Sequence, residues 1–357
     1  MMDHGGRIAK LQTTRQATGL DALLITNLTN VRYLTGFSGT NGQVLVRDGG
    51  ATFFSDPRYA ARAADLVEGA EIVIYPTKLT DRLPEQLNGV ARLGVEAGAM
   101  TLLERDQLAE ALASVELVPT KNAVEDLRRV KEQAEVEKLR EAVKIGDAAF
   151  NWVLDHLSPG ATERSIALEL EVWMRKAGAD HVSFEPIVGS GPLSAHIHHT
   201  PSDRSFDKGD LVLLDFGARI AGYCSDLTRT VVLGPATDDQ RALYDIVLAA
   251  QQRGIEAVAV GAPCAEVDAA ARAYIDSAGY GDSFAHGLGH GVGLDIHEAP
   301  RLHRTSEETL LEGDVVTVEP GIYVSDEGGV RTEDCVLVTA QGAEVLSAAS
   351  KDRLIEL

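Results

Sequence analysis

Gly209-Asp210-Leu211-Val212-Leu213-Leu214-Asp215-Phe216-Gly217 and Gly313-Asp314-Val315-Val316-Thr317-Val318-Glu319-Pro320-Gly321 are two versions of one pattern. Each opens on Gly-Asp, runs through apolar residues and reaches a carboxylate just before the next glycine. Each is followed by a turn-rich segment and a second run that carries another acid: Asp226 in Cys224-Ser225-Asp226-Leu227-Thr228-Arg229-Thr230, and Glu333 in Val330-Arg331-Thr332-Glu333-Asp334-Cys335. Apolar runs of this length bounded by glycine read as paired strands. A carboxylate within such a run is costly to bury unless it is paired or bound to a metal. Four of them, repeated by internal duplication, point to a metal centre.

Between the hairpins lies His286-Gly287-Leu288-Gly289-His290-Gly291-Val292-Gly293-Leu294-Asp295-Ile296-His297-Glu298. Its glycines let backbone approach a crowded site. Asp215, Asp226, His290, Glu319 and Glu333 form an oxygen-dominated set with one nitrogen. Such a set suits manganese, iron or cobalt better than the soft thiolate ligands of many zinc sites do. Four carboxylates balance two divalent ions, whereas one ion would leave the cluster over-negative.

These motifs resemble the creatinase, aminopeptidase P and prolidase group of metallopeptidases, whose ligand order is Asp, Asp, His, Glu, Glu. The resemblance covers about the last 220 residues closely. Asn30-Val31-Arg32-Tyr33-Leu34-Thr35-Gly36-Phe37-Ser38-Gly39 also resembles the N-terminal domain of the Xaa-Pro peptidases, which methionine aminopeptidases lack. The resemblance implies an α/β N-terminal domain, drawn here as residues 1–126, and an α+β catalytic domain of pita-bread fold over 127–357. It implies two divalent metal ions, manganese first, with cobalt or zinc as alternatives, and a homodimer. The implied reaction is hydrolysis of the bond between an N-terminal residue and proline in small peptides. A dipeptidase (prolidase) is expected, with aminopeptidase P, acting on longer peptides, as the alternative. A metal-free pita-bread binding module or a creatinase-like enzyme is disfavoured because all five ligands are present.

Carried over motif by motif, the resemblance gives Glu319 a proton-transfer role beside metal binding. His198, in Ser194-Ala195-His196-Ile197-His198-His199-Thr200, matches a histidine that contacts substrate or the tetrahedral intermediate; only one of the three neighbouring histidines is expected to act. His286 and His297 match the motif around His290, His297 as a catalytic group and His286 as a substrate contact. Tyr323 and Arg331 match residues that orient Asp215, with a plain structural ion pair as the other reading of Arg331. Arg301 resembles an arginine that binds a substrate carboxylate in short prolidases, or is a surface charge. Cys224 and Cys335 sit two residues from Asp226 and Glu333, so on strands they share a face with them. They are expected as small buried residues, although the family often has Asn at position 224.

With 33 basic and 54 acidic residues the chain carries a formal charge of −21, which disfavours nucleic acid as a partner. Met1-Met2-Asp3-His4-Gly5-Gly6-Arg7 has no signal-type apolar core and no later run is of membrane-span length, so a cytoplasmic location without membrane contact is expected. Three cysteines without metal or redox spacing fit free thiols in a reducing compartment.

Periodicity predicts strands at 21–26, 43–46, 51–54, 71–75 and 92–95 and helices at 57–67, 79–89 and 101–113, the last opened by a Thr101/Glu104 capping box. A charged stretch over 125–140 reads as a solvated connecting helix. Further helices are expected at about 131–156, 162–177, 238–259 and 265–278.

Overall fold

The computed structural model describes residues 2–357. The chain divides into two compact units, Met1–Arg128 and Arg129–Leu357.

The first unit is an α/β layer. Strands β1 (Ala22–Ile25), β2 (Gln43–Arg47), β3 (Gly50–Ser55), β4 (Glu71–Ile74), β5 (Arg92–Glu96) and β6 (Glu116–Thr120) form a mixed sheet in the order β4-β3-β2-β1-β5-β6. The strands at 22–25, 43–47, 50–55, 71–74 and 92–96 follow the apolar runs. β6 did not announce itself because Pro119 interrupts it, which is tolerated at the edge of the sheet. Around the sheet lie α1 (His4–Ala17), α2 (Leu28–Thr35), α3 (Ala60–Leu66), α4 (Leu102–Ala111) and α5 (Glu125–Arg129). The capping box of α4 is present, with the Glu104 N–H donating to Thr101 Oγ1 and the Thr101 N–H to Glu104 Oε2. The continuous helix expected over 79–89 is absent. Two short 3-10 turns, Leu79–Asp81 and Leu83–Gln86, take its place, because Pro84 lacks an N–H and disfavours helical backbone before it.

The solvated helix expected over 125–140 is also corrected. α5 stops at Arg129, and α6 (Gln133–Leu154) begins only after an extended step. There the Lys131 N–H donates to the Gly313 carbonyl, and the Glu132 N–H to Glu135 Oε2. Arg128, Lys131 and Glu135 are buried, so these charges are structural partners rather than a wet surface.

The second unit continues through α7 (Glu163–Lys176), β7 (His181–Val182), β8 (Ile187–Ser190), β9 (Leu211–Phe216), β10 (Ala218–Ile220), β11 (Tyr223–Cys224) and β12 (Leu227–Val232). Helices α8 (Asp238–Ala257) and α9 (Cys264–Ser277) follow. The rest is strand: β13 (Gly289–Gly291), β14 (Glu298–Leu302), β15 (Val315–Val318), β16 (Gly321–Val324), β17 (Gly328–Arg331), β18 (Asp334–Thr339), β19 (Gly342–Val345) and β20 (Ile355–Glu356). One sheet runs β20-β12-β9-β8 and another β14-β13-β15-β18-β19.

The duplicated sequence is a duplicated structure. β9 pairs antiparallel with β12 and the short β10-β11 ribbon lies between them in the chain; β15 pairs with β18 and the β16-β17 ribbon lies between. Helices α6 and α7 cover one hairpin through Phe150, Ile166 and Leu170 packed with Leu214 and Phe216. α8 and α9 cover the other through Val247, Ala250 and Val267 packed with Val316, Val318 and Val336. This is the pita-bread arrangement, and it places an acid at the end of each strand run.

Candidate metal centre

Asp215 lies on β9, Asp226 in the step before β12, His290 on β13, Glu319 just after β15 and Glu333 just before β18. Five side chains from both sheets thus line a single cavity of about 1120 Å³. Asp226, His290 and Glu333 present ligand atoms within 4.8 Å of one another. His290 Nε2 stands 3.6 Å from Asp226 Oδ2 and 3.3 Å from Glu319 Oε1. Its Nδ1 lies 3.0 Å from the Gly291 carbonyl, which can only accept, so that nitrogen holds a proton whether or not Nε2, the nitrogen turned to the acids, carries one as well.

Burial, then the charges of Glu333 and Asp215, push the Asp226 carboxyl well above the ordinary carboxylate range. Burial and the charges of Glu319 and Asp215 do the same to Glu333. Asp215 is raised by burial despite the adjacent Arg331. Glu319 goes the other way: burial opposes its charge, but the hydrogen bond and charge of His290 bring it to about 2. Three mutually repelling acids in one buried cluster call for cations. Asp215 Oδ1 adds a buried oxygen with no hydrogen-bond partner, as a ligand atom would be. The donor set therefore fits hard divalent ions.

Around the acids, Arg331 is the central brace. Its Nη2 donates to Asp215 Oδ2, its Nη1 to the Tyr323 hydroxyl at 2.9 Å and its Nε to Thr228 Oγ1 at 3.0 Å. Thr228 Oγ1 in turn donates to Glu333 Oε2 at 2.6 Å. The ion pair expected as one reading of Arg331 is thus with Asp215 itself. His286 Nδ1 faces the Gly287 carbonyl at 2.7 Å, so its Nε2 accepts from Tyr323, 2.9 Å away. Burial lowers the pKa of His286 and keeps the ring neutral for that bond.

His198, His286, His297 and Arg301 line the same cavity. The rings of His297 and His290 are 4.4 Å apart. Arg301 stands opposite His290 in the β13-β14 pairing and is exposed. Of the three neighbouring histidines, His196 is outside the lining, and His199 lines the cavity beside His198 but is bonded to Glu163 at 2.8 Å. Cys224 and Cys335 are buried, and Cys335 Sγ donates to the Asp226 carbonyl oxygen. Sequence reasoning missed Thr228 and Thr317, the latter donating to Glu319 Oε1 at 3.1 Å and accepting the His290 N–H at 3.0 Å. The one signal in the sequence is strand alternation, which puts each on the same face as an acid two residues away without showing its partners.

The model of metallopeptidase family M24 matches residues 137–340, and that of the creatinase/prolidase N-terminal domain matches 7–130. The chain belongs to metallopeptidase family M24. A relative from Pyrococcus furiosus described as an Xaa-Pro dipeptidase is 36% identical over 348 residues, 98% of this chain and 99% of its own. The solved structure of an Xaa-Pro dipeptidase from Bacillus anthracis superposes with a TM-score of 0.97 at 41% identity, covering 99% of this chain and all of that one. An X-Pro aminopeptidase from Thermotoga maritima gives a TM-score of 0.90 at 32% identity, covering 97% of this chain and all of that one. The pita-bread fold and the enzyme class of the M24 peptidases therefore hold for this chain. No helix among the described residues is long and apolar enough to cross a membrane.

Proposed function

We propose that this M24 metallopeptidase is an Xaa-Pro dipeptidase that works with two divalent ions, manganese in the first place, held by Asp215, Asp226, His290, Glu319 and Glu333. The observation that carries the reading is the convergence of those five side chains, with three acids pushed up by burial and mutual repulsion, in one cavity. Full-length likeness to Xaa-Pro dipeptidases supports the substrate class.

Two bound divalent ions would supply a strong nucleophile from water at neutral pH and would polarise the scissile carbonyl. The chain's own groups do the rest. Glu319, ionised and braced by Thr317, takes the water proton and hands it to the leaving proline nitrogen. His198 and His297 donate to the substrate carbonyl region as charge develops there. His297 suits this as a neutral donor, since burial and the neighbouring His290 lower its pKa. His286, Tyr323 and Arg331 keep Asp215 and Glu333 aimed inward. Arg301 pairs with the carboxylate of the proline. A proline nitrogen carries no N–H, so recognition falls on the carbonyl, the ring and that carboxylate.

Aminopeptidase P is the second reading, supported by the Thermotoga maritima neighbour. The test is an assay of manganese-loaded enzyme on Xaa-Pro dipeptides beside Xaa-Pro-Xaa tripeptides, with elemental analysis of the protein. Two ions per chain and faster dipeptide cleavage are expected. A preference for tripeptides would move the assignment to aminopeptidase P, and no bound divalent ion after manganese loading would end the dinuclear proposal. A small-peptide enzyme of this charge, acting as a homodimer in the cytoplasm, completes the proposal.

A further inference from the structure

Ile197 and His198 face the cavity from a segment that leaves β8 at Ser190 and runs on to Ser202. Both ends of that segment close on one carboxylate. Glu163, the first residue of α7, is completely buried. Its Oε1 accepts from the Ser190 N–H at 2.8 Å and from Ser190 Oγ at 2.7 Å. Its Oε2 accepts from the Ser202 N–H at 3.0 Å, from Ser202 Oγ at 2.6 Å and from His199 Nε2 at 2.8 Å.

Five donors on one carboxylate are more than local capping requires. Hydrogen bonds to an ionised acceptor are the strong ones, and this group spends all of them on the two ends of a single loop. Burial opposes the charge, yet the bonds from Ser190, Ser202 and His199 hold Glu163 below its ordinary pKa. Arg204 backs the arrangement, donating to Ser190 Oγ at 2.7 Å and to both oxygens of Asp210. The middle of the loop has its own anchor: the Gly329 N–H donates to Ser194 Oγ at 2.8 Å, on the strand that ends in Arg331. A Cβ at Gly329 would come within 2.3 Å of the Ser194 carbonyl oxygen, so the loop rests directly on that strand's backbone. These five hydrogen bonds to Glu163 involve neither the four acids nor the imidazole of the metal centre.

We propose that Glu163 is a positioning residue for the reaction: it closes the base of the loop 190–202 and thereby aims His198 at the substrate. The proposal rests on the role given to His198 above. His198 and His199 both line the cavity, but the Nε2 of His199 is taken up by Glu163 in the clamp, which leaves the adjacent His198 as the ring for substrate. Holding a reacting group in place is worth a large factor, and a misplacement of about 1 Å costs on the order of 10²-fold.

The test is a double-mutant cycle on the metal-loaded enzyme with an Xaa-Pro dipeptide. Glu163→Gln keeps the shape but has one acceptor oxygen in place of two, and its amide nitrogen meets donors. Expected are a fall in kcat on the order of 10²-fold with metal content unchanged. In a His198→Ala background the same substitution should cost less than about twofold, because the two act through one contact. Ser202→Ala, which removes one donor, gives a milder version of the same cycle and serves if Glu163→Gln does not fold. A merely structural role would give losses that multiply across the cycle, and that result overturns the clamp. Unchanged turnover in a folded, metal-bound Glu163→Gln overturns it too. If His198→Ala alone leaves turnover unchanged, the role of His198 falls and the clamp with it, whereas multiplying losses remove only the clamp.

Discussion

At the residue scale, Glu319 is the acid whose surroundings differ from the other three. His290 favours its charged form against burial and Thr317 donates to it, so it stands ionised beside three acids that are pushed up toward their protonated forms. Glu319→Gln keeps the coordinating oxygen and removes the proton carrier. Turnover is expected to fall by about 10²–10⁴-fold while bound metal stays near the native level, read by single-turnover kinetics beside elemental analysis. Full activity with metal present would take the proton-transfer role away. A charge-assisted bond to a carboxylate is worth roughly 1.5–3 kcal/mol, or about one to two orders of magnitude in kcat/KM. Arg301→Ala should lose that much on Xaa-Pro dipeptides and little on tripeptides, whose carboxylate lies one residue farther away. Equal losses on both would show that Arg301 does not read the dipeptide carboxylate. The ligand acids could be read from sequence because a carboxylate in an apolar strand is costly and these four recur in a duplicated pattern. Thr228, Thr317 and Glu163 could not be singled out so easily, since a hydroxyl in a strand or an acid opening a helix is ordinary until its partners are seen.

At the element scale, most strands and the long helices are legible because the strands are short apolar runs, several buried on both faces, and the long helices carry an apolar face. Periodicity fails where local composition and tertiary contacts disagree. The stretch over 125–140 has the charge pattern of a wet helix, but the backbone breaks at Val130-Lys131-Glu132 and Arg128, Lys131 and Glu135 are buried. Lys131 shows why. Its ammonium donates to Glu298 Oε2 at 3.1 Å, with both side chains nearly without solvent exposure, and Glu298 also accepts the Asp295 N–H. That pair ties the start of the catalytic unit to β14 and to the turn carrying His297. Removing one member of a buried pair costs about 3–5 kcal/mol, because the other charge stays behind. Lys131→Met should therefore destabilise the protein by about that amount in urea unfolding. A loss below about 1 kcal/mol, the range of exposed pairs, would mean that Glu298 finds other support.

At the scale of the whole catalytic unit, the five ligands matter for stability as well as for chemistry. Asp215 and Asp226 belong to the hairpin β9-β12, while His290, Glu319 and Glu333 belong to the sheet built on β13, β15 and β18. Direct bonds already join the two, among them the Glu333 N–H to the Thr228 carbonyl and Thr228 Oγ1 to Glu333 Oε2. What those bonds do not relieve is the burial, and with it the repulsion among the acids, that raises Asp215, Asp226 and Glu333. Cations held between the sheets would cancel that repulsion and cross-link the halves of the duplication, and the unfolded chain has no such site. Ligand that binds only the folded state stabilises by mass action, about 2.7 kcal/mol when free metal is 100 times its Kd. For a unit of this size each kcal/mol moves Tm by roughly 2–4 °C, so chelation should lower Tm by about 5–10 °C and manganese should restore it. Asp226→Asn/Glu333→Gln, which removes two of the like charges and the ligands together, should lose the manganese response and melt above the chelated native protein. A chelated native protein that melts at the same temperature as the manganese-loaded one would show that these acids do not hold ions between the sheets.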